Sequence, residues 1–372
     1  FIYTFEDPHK LLHNMHSTST LTLLLCLCFI CSDSFSHKTN YVARQTSLRM
    51  SFSFLSSQKP KTTKGKTVAI TGATGLIGPA LTASLKEKGY NVIKISTKKS
   101  KADDTITWNP SKGELDGSAL EGVDAIVNLA GENVASGEGL LAILGRWSDS
   151  KKSKIINSRI DSTKLLVNTM STLKKKPKTL ISASGIGYYG YKDFSKVFDE
   201  TSPQGDGFLA EVVSSWEAEA KKAPRGVRVV TPRFASVLSP AGGVVGKLLP
   251  IFLTGTGGTI GSGSQPFPWV SLNDVVKAII FILESSLSGP VNVCSPDSVS
   301  TTNTDLTKAI GSAINRPTFI PIPEPIVKLI FGQFGEELLL GGQKADAKKL
   351  ISAGFKFENT NLSTAMPSIL KK

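Results

Sequence analysis

The sequence predicts an α/β protein with a doubly wound parallel sheet and a smaller C-terminal lobe. Short β-rich apolar runs alternate with amphipathic segments from residue 66 to residue 233, and glycine-rich loops follow after that point. Strands that are separated by helices require parallel connections, with helices on both faces of the sheet. Such sheets bind ligands at the carboxyl ends of their strands, so functional residues are expected there.

The elements can be assigned in order along the chain. Strand 67–71 is a β-rich run, and Ile77, Leu81 and Leu85 follow it at helical spacing until Gly89 ends the helix. Further strands are predicted at 91–96, 125–129, 179–184, 227–233 and 291–294, and further helices at 149–173, 208–222 and 272–287. Residues 65–235 then form the sheet domain, and residues 236–372 form a loop-rich lobe whose strand 291–294 returns to the sheet.

Composition excludes several kinds of chemistry. The 372 residues include four histidines and four cysteines, and all the histidines and three of the cysteines lie within the first 37 residues. Without that segment the chain has no histidine and keeps only Cys294. This excludes histidine acid–base catalysis, histidine-dependent nucleophiles and zinc sites, so no metal site is predicted. The net charge of +13 fits a nucleic acid, a phosphorylated ligand or an anionic membrane and does not choose among them.

Residues 1–64 have the composition of an organelle address. Phe1 begins the chain and Met15 is the first methionine, so the residues before Met15 fit translated upstream sequence. Residues 15–64 contain 17 serines and threonines and one acidic residue, Asp33. This composition predicts a chloroplast transit peptide. Two alternatives stay open: a secretory signal with its apolar core at 21–30, and an uncleaved disordered tail.

A glycine-rich turn, Thr-Gly-Ala-Thr-Gly-Leu-Ile-Gly at 71–78, joins the first strand to the first helix. Gly72 allows a tight turn, Gly75 lets backbone N–H groups approach a pyrophosphate, and Gly78 lets the helix pack closely on the strand. The turn therefore predicts a Rossmann-like, NAD(P)-binding domain; a purely structural glycine turn is the alternative. The predicted cofactor contacts in the turn are Gly72, Thr74, Gly75, Leu76, Ile77 and Gly78.

The end of the second strand predicts which cofactor is bound. NAD-binding domains place an acidic residue about 20 positions after the turn, where it binds the ribose 2′-hydroxyl. Counting from Gly78 leads to Lys98, within Thr97-Lys98-Lys99. A lysine pairs with a 2′-phosphate that a carboxylate would repel, so NADP(H) is favoured over NAD(H). The alternative is an exposed basic turn.

Several further motifs run in the same order as in a known family. They are segments 71–78, 128–132, 145–147, 158–159, 182–190, 257–263, 269–274 and 340–343, together with Arg233 and Val237-Leu238. The chain resembles the epimerase-like branch of the extended short-chain dehydrogenases, whose plant members are plastid proteins. The likeness covers residues 66–370, and Gly-Tyr-Tyr-Gly at 187–190 and Leu-Gly-Gly-Gln at 340–343 are specific to the branch.

The resemblance implies further cofactor contacts. It places Thr97 and Lys98 at the 2′-phosphate and Leu129 and Ala130 beneath the cofactor. It also implies contacts from Arg159 in the long helix and from Val237 near the nicotinamide. From the residues alone, Leu129 and Ala130 equally fit sheet core, Val237 fits loop packing and Arg159 fits a solvated helix charge.

The usual catalytic pair of this family is missing. Short-chain dehydrogenases use a Tyr-x-x-x-Lys pair on a helix, but helix 208–222 contains no tyrosine, and Leu209 and Val213 stand at the expected positions. The candidates that remain are Ser184 as hydrogen-bond donor to a substrate oxygen and Tyr189 as proton donor. The alternative is that Ser184 bonds to the backbone and Tyr189 packs under the lobe.

Two functions of different classes follow. The first is an NADP(H)-dependent oxidoreductase or epimerase that acts on a small substrate, nucleotide-linked or not, beneath the lobe. The second is an NADP(H)-binding regulator that engages other proteins, which the missing pair favours. The resemblance implies a positive role in chloroplast division at the inner envelope.

One segment offers a membrane contact. Residues 326–334 are apolar and helix-prone, and they fit either a peripheral contact with the envelope or the core of the lobe. Nucleic acid binding is not expected, because the lysine run at 174–178 has no interleaved aromatic residues.

Overall fold

The computed structural model describes residues 65–100, 102–136 and 146–371. The predicted transit peptide at 1–64 therefore lies outside the described residues. The strands are β1 (Thr67–Thr71), β2 (Asn91–Ser96), β3 (Thr105–Asn109), β4 (Glu114–Leu115), β5 (Ala125–Asn128), β6 (Thr179–Ser182), β7 (Ser184–Gly185), β8 (Val197–Phe198), β9 (Arg228–Phe234), β10 (Ser236–Leu238), β11 (Trp269–Ser271), β12 (Gly289–Val293) and β13 (Lys344–Ala345). The helices are α1 (Gly78–Glu87), α2 (Asp149–Thr172), α3 (Phe208–Ala220), α4 (Gly243–Leu253), α5 (Leu272–Glu284), α6 (Asn303–Ile314), α7 (Glu324–Phe334), α8 (Lys348–Ser352) and α9 (Leu362–Leu370).

The main sheet has the strand order β12-β9-β6-β5-β1-β2-β3-β4, and β7 pairs beside β9. Neighbouring strands are parallel except for the antiparallel β3–β4 pair. Strand order runs outward in both directions from β1 and β5. Such a switch in direction opens a crevice at the carboxyl ends of these two strands, which is where doubly wound sheets bind ligands.

Helices cover both faces of this sheet. On one face, Leu81 of α1 and Ile279 of α5 join a buried cluster with Ile70 of β1. On the other face, Met170 of α2 and Ala220 of α3 pack with a second set of buried side chains. The predicted fold class, an α/β doubly wound parallel sheet of the Rossmann type, is confirmed.

The C-terminal lobe contains the short parallel pair β10–β11, and its strand β13 pairs in parallel with β8 of the sheet domain. Its core is built around Trp269, Leu306 and Met366, all at most 1% exposed. The boundary predicted at residue 235 falls between β9 and β10. Strand β12 leaves the lobe and pairs with β9 at the edge of the main sheet.

Segment 326–334 forms most of α7, and its apolar face is part of a core. Val327, Phe331 and Phe334 are buried in one cluster with Trp147, while Leu329 is 75% exposed. This arrangement matches the core interpretation of the segment. Within the residues that the structure describes, no helix is long and apolar enough to cross a membrane.

Candidate cofactor and substrate site

The glycine turn requires glycine at two positions. Gly72 has φ +65°, and a Cβ there would lie 2.7 Å from the carbonyl oxygen of Leu129. A Cβ on Gly78 would lie 2.4 Å from the carbonyl oxygen of Gly72. Both contacts are with backbone, which cannot give way as a flexible side chain can. The Gly75 N–H donates to the same Gly72 carbonyl at 3.0 Å, which closes the turn.

Helix α1 begins at this turn without a side-chain cap. Ile77 occupies the N-cap position, and the first turn of the helix contains Pro79 and no acidic residue. Its first N–H groups and the positive end of the helix dipole therefore remain available to an anion. Thr74 and Gly75, on the rim of the turn, are exposed. This is the arrangement that binds a pyrophosphate in dinucleotide-binding domains.

A buried polar network fixes the strand ends around the turn. The Thr71 hydroxyl donates to Asn128 Oδ1 at 2.6 Å, and Asn128 Nδ2 donates to Thr163 Oγ1 at 2.9 Å. The N–H groups of Leu129 and Ala130 in turn donate to Thr71 Oγ1, at 3.1 and 3.2 Å. The half-buried Leu129 and Ala130 are thus held at the crevice between β1 and β5.

Thr97 and Lys98 follow β2 directly and are both exposed. The Lys98 N–H donates to the Ser96 hydroxyl at 3.1 Å, which tightens the chain after the strand. Because Thr71 and Ile95 are paired in register, the ends of β1 and β2 lie side by side. Lys98 therefore stands at the same edge of the sheet as the glycine turn.

Arg159 presents a half-buried cation near the end of β5. Its guanidinium donates to the carbonyls of Glu132 and Ile155, at 3.1 and 3.0 Å, and lies 5.1 Å from the Trp216 ring centroid. Among the described residues, no carboxylate forms an ion pair with it. Burial lowers the pKa of Arg159 to about 10, against the opposing influence of Glu132. These contacts hold Arg159 in place, and its remaining N–H groups can donate to a ligand.

The loop that follows Val237 approaches the glycine turn. Val237 is half-buried in β10 and paired with Val270 of β11. A Cβ on Gly242 in the following loop would lie 3.2 Å from the Leu76 side chain. The structure therefore brings the lobe segment after β10 against the turn at the start of α1.

A cavity of about 290 Å³ lies between the carboxyl ends of the central strands and the lobe. Arg159, Ser184, Trp216, Phe267 and Gln343 are among the residues that line it. Leu209 and Val213, which occupy the positions of the missing Tyr-x-x-x-Lys pair, line it as well. The place where the family normally transfers a proton is therefore apolar in this chain.

Ser184 belongs to a buried polar chain behind the cavity. Its hydroxyl donates to Glu217 Oε1 at 2.6 Å, and Arg233 holds the same carboxylate through two hydrogen bonds of 2.7 and 2.9 Å. The Ser184 hydrogen is therefore committed to Glu217, and only the lone pairs of its oxygen can serve a ligand. This geometry leaves the Ser184 oxygen free to accept a hydrogen bond and differs from the predicted donor role.

Tyr189 is not positioned as the predicted proton donor. Its hydroxyl donates to Asn292 Oδ1 at 2.7 Å and accepts from Arg233 at 3.0 Å, and the side chain is 3% exposed. Tyr189 is not among the cavity-lining residues, and its ring stacks on Phe198. Burial raises the pKa of Tyr189 well above its ordinary value. This placement disagrees with the proton-donor hypothesis and matches the packing alternative.

Replacing Tyr189 with phenylalanine is expected to lower the free energy of unfolding by about 1–3 kcal/mol, because Asn292 and Arg233 lose a buried partner. The affinity for NADPH should not change. Tyr191→Phe is the matched control, since the structure shows no hydrogen bond for the Tyr191 hydroxyl among the described residues. Urea denaturation and a cofactor titration would test both variants, and a stable Tyr189→Phe protein that loses NADPH binding would contradict this assignment.

Three polar residues in or behind the cavity were not predicted from the sequence, namely Glu217, Glu337 and Gln343. Glu337 accepts hydrogen bonds from the N–H groups of Phe208 and Leu209, at 2.9 and 3.0 Å, and so caps α3 from the lobe. Glu217 could have been found as a carboxylate on the face that Val213 and Ala220 bury. Gln343 could have been found as the one polar residue of its Leu-Gly-Gly-Gln motif, whereas Glu337 gave no local signal.

Two family models match the chain. The model of the NAD dependent epimerase/dehydratase family matches residues 68–294. A model described as a domain of unknown function, DUF1731, matches residues 322–369, which include Gln343.

Curated relatives extend over most of the chain. An epimerase family protein of Mycobacterium bovis is 42% identical over 302 residues, which are 80% of this chain and 96% of the relative. The chloroplastic SDR39U1 homologue of Arabidopsis thaliana is 33% identical over 314 residues, which are 82% of this chain and 87% of the relative.

Solved structures agree with these relationships. Human epimerase family protein SDR39U1 with NADPH superposes with a TM-score of 0.73 at 33% identity and covers 82% of this chain and 99% of its own. UDP-glucose 4-epimerase of Thermotoga maritima with UDP-glucose superposes with a TM-score of 0.62 at 20% identity, over 82% and 97% of the two chains, and shows the fold alone. The chain therefore belongs to the NAD dependent epimerase/dehydratase family, as an NAD(P)-binding relative of SDR39U1.

Proposed function

We propose that the protein binds NADP(H) in preference to NAD(H) and transfers hydride between the nicotinamide and a small substrate held in the cavity. The observation that carries the proposal is the cavity itself. It opens at the carboxyl edge of the sheet, and Ser184 and Arg159 both line it. A protein that used its cofactor only for stability would not need a cavity of substrate size there.

The residues around the turn fit NADP(H). The uncapped start of α1 suits the pyrophosphate, and Thr97 and Lys98 suit the 2′-phosphate. Leu129 and Ala130 lie in the crevice beneath the proposed cofactor. Arg159, which lines the cavity, and Val237, in β10, complete the proposed binding set.

When bound, the cofactor would supply or accept the hydride, and side chains of the protein must accept or donate the proton. Ser184 accepts a hydrogen bond from the hydroxyl of the substrate. When that hydroxyl is oxidised, its proton moves to Ser184 Oγ while the hydrogen already on Ser184 moves to Glu217 Oε1. Reduction of a carbonyl runs the same relay backward from protonated Glu217, whose proton moves to Ser184 Oγ while the Ser184 hydrogen moves to the substrate oxygen, so that no tyrosine is required. Arg233 keeps the Glu217 carboxylate in place for this exchange.

Reversing the charge of Lys98 tests the cofactor preference. Lys98→Glu is expected to weaken NADPH binding about tenfold or more, and to spare or improve NADH binding, because a carboxylate repels the 2′-phosphate and suits a free hydroxyl. Lys175→Glu is the matched control: it makes the same change in net charge in the loop before β6, at the opposite edge of the sheet. Isothermal titration of both cofactors checks the result, and equal NADPH affinity in wild type and Lys98→Glu would refute the preference.

Turnover can be tested before the substrate is identified. NADPH carrying deuterium at C4 is incubated with small aldehydes, small ketones and nucleotide sugars, and mass spectrometry follows deuterium into products. A substrate found in this way should be turned over about 10²–10⁴-fold more slowly by Ser184→Ala, the range expected for loss of a proton-transfer group. Unchanged turnover in Ser184→Ala would remove the relay from the mechanism.

A regulatory role is the second candidate, favoured by the apolar Leu209 and Val213 at the usual catalytic positions. In this form the protein acts in the chloroplast stroma as a positive regulator of chloroplast division. The chloroplastic Arabidopsis relative supports a location in the chloroplast. In cells that lack the protein, Ser184→Ala would restore chloroplast number if regulation is the function, and would fail if turnover is required.

A further inference from the structure

The side-chain amide of Gln343 faces the cavity. Gln343 is 9% exposed and lines the cavity. In the part of the chain that the structure describes, its amide makes no hydrogen bond. The amide atoms are not among the fully buried polar atoms that lack a partner, so they are accessible from the cavity and can bond to a ligand.

The backbone before Gln343 fixes its position. A Cβ on Gly342 would lie 2.0 Å from the carbonyl oxygen of Pro266, and one on Gly341 would lie 2.7 Å from Tyr191 Cβ. The Gly342 N–H also donates to the Tyr191 carbonyl at 3.0 Å. The two glycines are therefore wedged between neighbouring segments, and the motif delivers one polar side chain to a defined place in the cavity.

The charges around Gln343 disfavour an anion. Asp206 and Glu337 line the same cavity, and Arg159 is the only basic residue among the described residues that line it. Arg159 comes from α2, beside the cofactor crevice, whereas Glu337 and Gln343 both come from the lobe. Apolar and aromatic side chains, including Trp216, form much of the remaining wall. An uncharged ligand therefore suits the lobe side of the cavity.

We propose that Gln343 recognises an uncharged carbonyl or hydroxyl group on a small, mainly apolar substrate. The amide nitrogen donates to a carbonyl oxygen, and the amide oxygen accepts from a hydroxyl. The volume of about 290 Å³ lies at the lower end of ligand cavities and favours a small substrate over a nucleotide sugar. This inference rests on the proposed function, because it names the substrate class of the same site.

Probe binding to the full chain saturated with NADP⁺ tests the inference; saturation keeps the probes out of the nicotinamide position. The probes are benzamide and cyclohexanone as neutral ligands, benzoate as the charged isostere of benzamide, and UDP-glucose. Ligand-observed NMR titrations should show binding of both neutral probes, binding of benzoate at least about tenfold weaker than benzamide, and no binding of UDP-glucose.

Gln343→Met should weaken benzamide binding about tenfold, which is the loss of one hydrogen bond. Its affinity for NADPH should equal that of wild type, and its Tm should stay the same or rise, because the substitution removes no hydrogen bond within the described residues. Gln204→Met, in an exposed loop, is the matched control and should change none of these quantities.

Four results would overturn the inference: equal benzamide binding by Gln343→Met and wild type, a lowered Tm of Gln343→Met, tighter binding of benzoate than of benzamide, or binding of UDP-glucose. Failure of both neutral probes to bind a protein that binds NADPH normally would overturn it as well. Absence of NADPH binding by wild type would instead overturn the proposed function, and this inference with it.

Discussion

Replacing Glu217 with glutamine is expected to lower the free energy of unfolding by about 3–5 kcal/mol, because it leaves a buried guanidinium without its counter-ion. The side chains of Arg233 and Glu217 are only 3% and 2% exposed, and they join through two hydrogen bonds. Arg233 also lies 3.6 Å from the centroid of the Tyr188 ring. Urea denaturation measures the loss directly.

A double substitution distinguishes the net contribution of this ion pair to the free energy of unfolding from the destabilisation that follows when only one partner is removed. Glu217→Leu with Arg233→Met should be much less destabilising than the sum of the two single changes, because no unpaired charge stays buried. Lys222→Met is the surface control, since its ion pair with Glu219 is exposed on the lysine side and should contribute less than about 1 kcal/mol. Additive effects of the two core substitutions would show that Glu217 and Arg233 do not act as a pair.

Local pattern was sufficient to predict the central elements of the fold. Strands 67–71 and 91–96 have the predicted bounds, and helix 149–173 ends one residue early, at Thr172. These segments carry their own signal, because a buried parallel strand is a continuous apolar run and each helix shows apolar residues at its own period. The predicted alternation of strands and helices, and hence the doubly wound sheet, follows from those local signals.

Elements that depend on distant partners were not predictable in this way. Strands β8 and β13 are two residues each and pair across a long stretch of chain, so that tertiary packing decides their existence. The predicted strand 179–184 is divided at Ala183, whose N–H donates to the Asn128 carbonyl at 2.8 Å before β7 pairs with β9 alone. Neither event has a signature in the local sequence.

The same distinction between local and distant signals applies to the candidate site. The glycine turn was visible because its spacing and its place between a strand and a helix indicate its role. The hydrogen bond from the Ser184 hydroxyl to Glu217 could not be predicted from the sequence, because Glu217 lies in α3, which is distant in the chain. The hydrogen bonds of the Tyr189 hydroxyl could not be predicted for the same reason, because its partners Asn292 and Arg233 come from β12 and β9.

Replacing Gly78 with alanine is expected to weaken NADPH binding about 100-fold, equivalent to about 2.7 kcal/mol. The new Cβ would lie 2.4 Å from the Gly72 carbonyl oxygen and 2.5 Å from Ala73 Cα, so the turn must move away from α1. That movement takes the N–H groups of the turn out of reach of the pyrophosphate, and each charge-assisted hydrogen bond lost costs about 1.5–3 kcal/mol.

Gly89→Ala separates this effect from a general effect of alanine. Gly89 ends the same helix at the opposite edge of the sheet, with φ +85° and no atom within 4 Å of an added Cβ. Alanine there strains the backbone and costs about 1 kcal/mol of stability, yet it leaves the cofactor turn untouched. Fluorescence titration with NADPH compares the two variants. Wild-type affinity in Gly78→Ala would mean that the pyrophosphate does not rest on this turn, and the cofactor site would have to be sought elsewhere on the sheet.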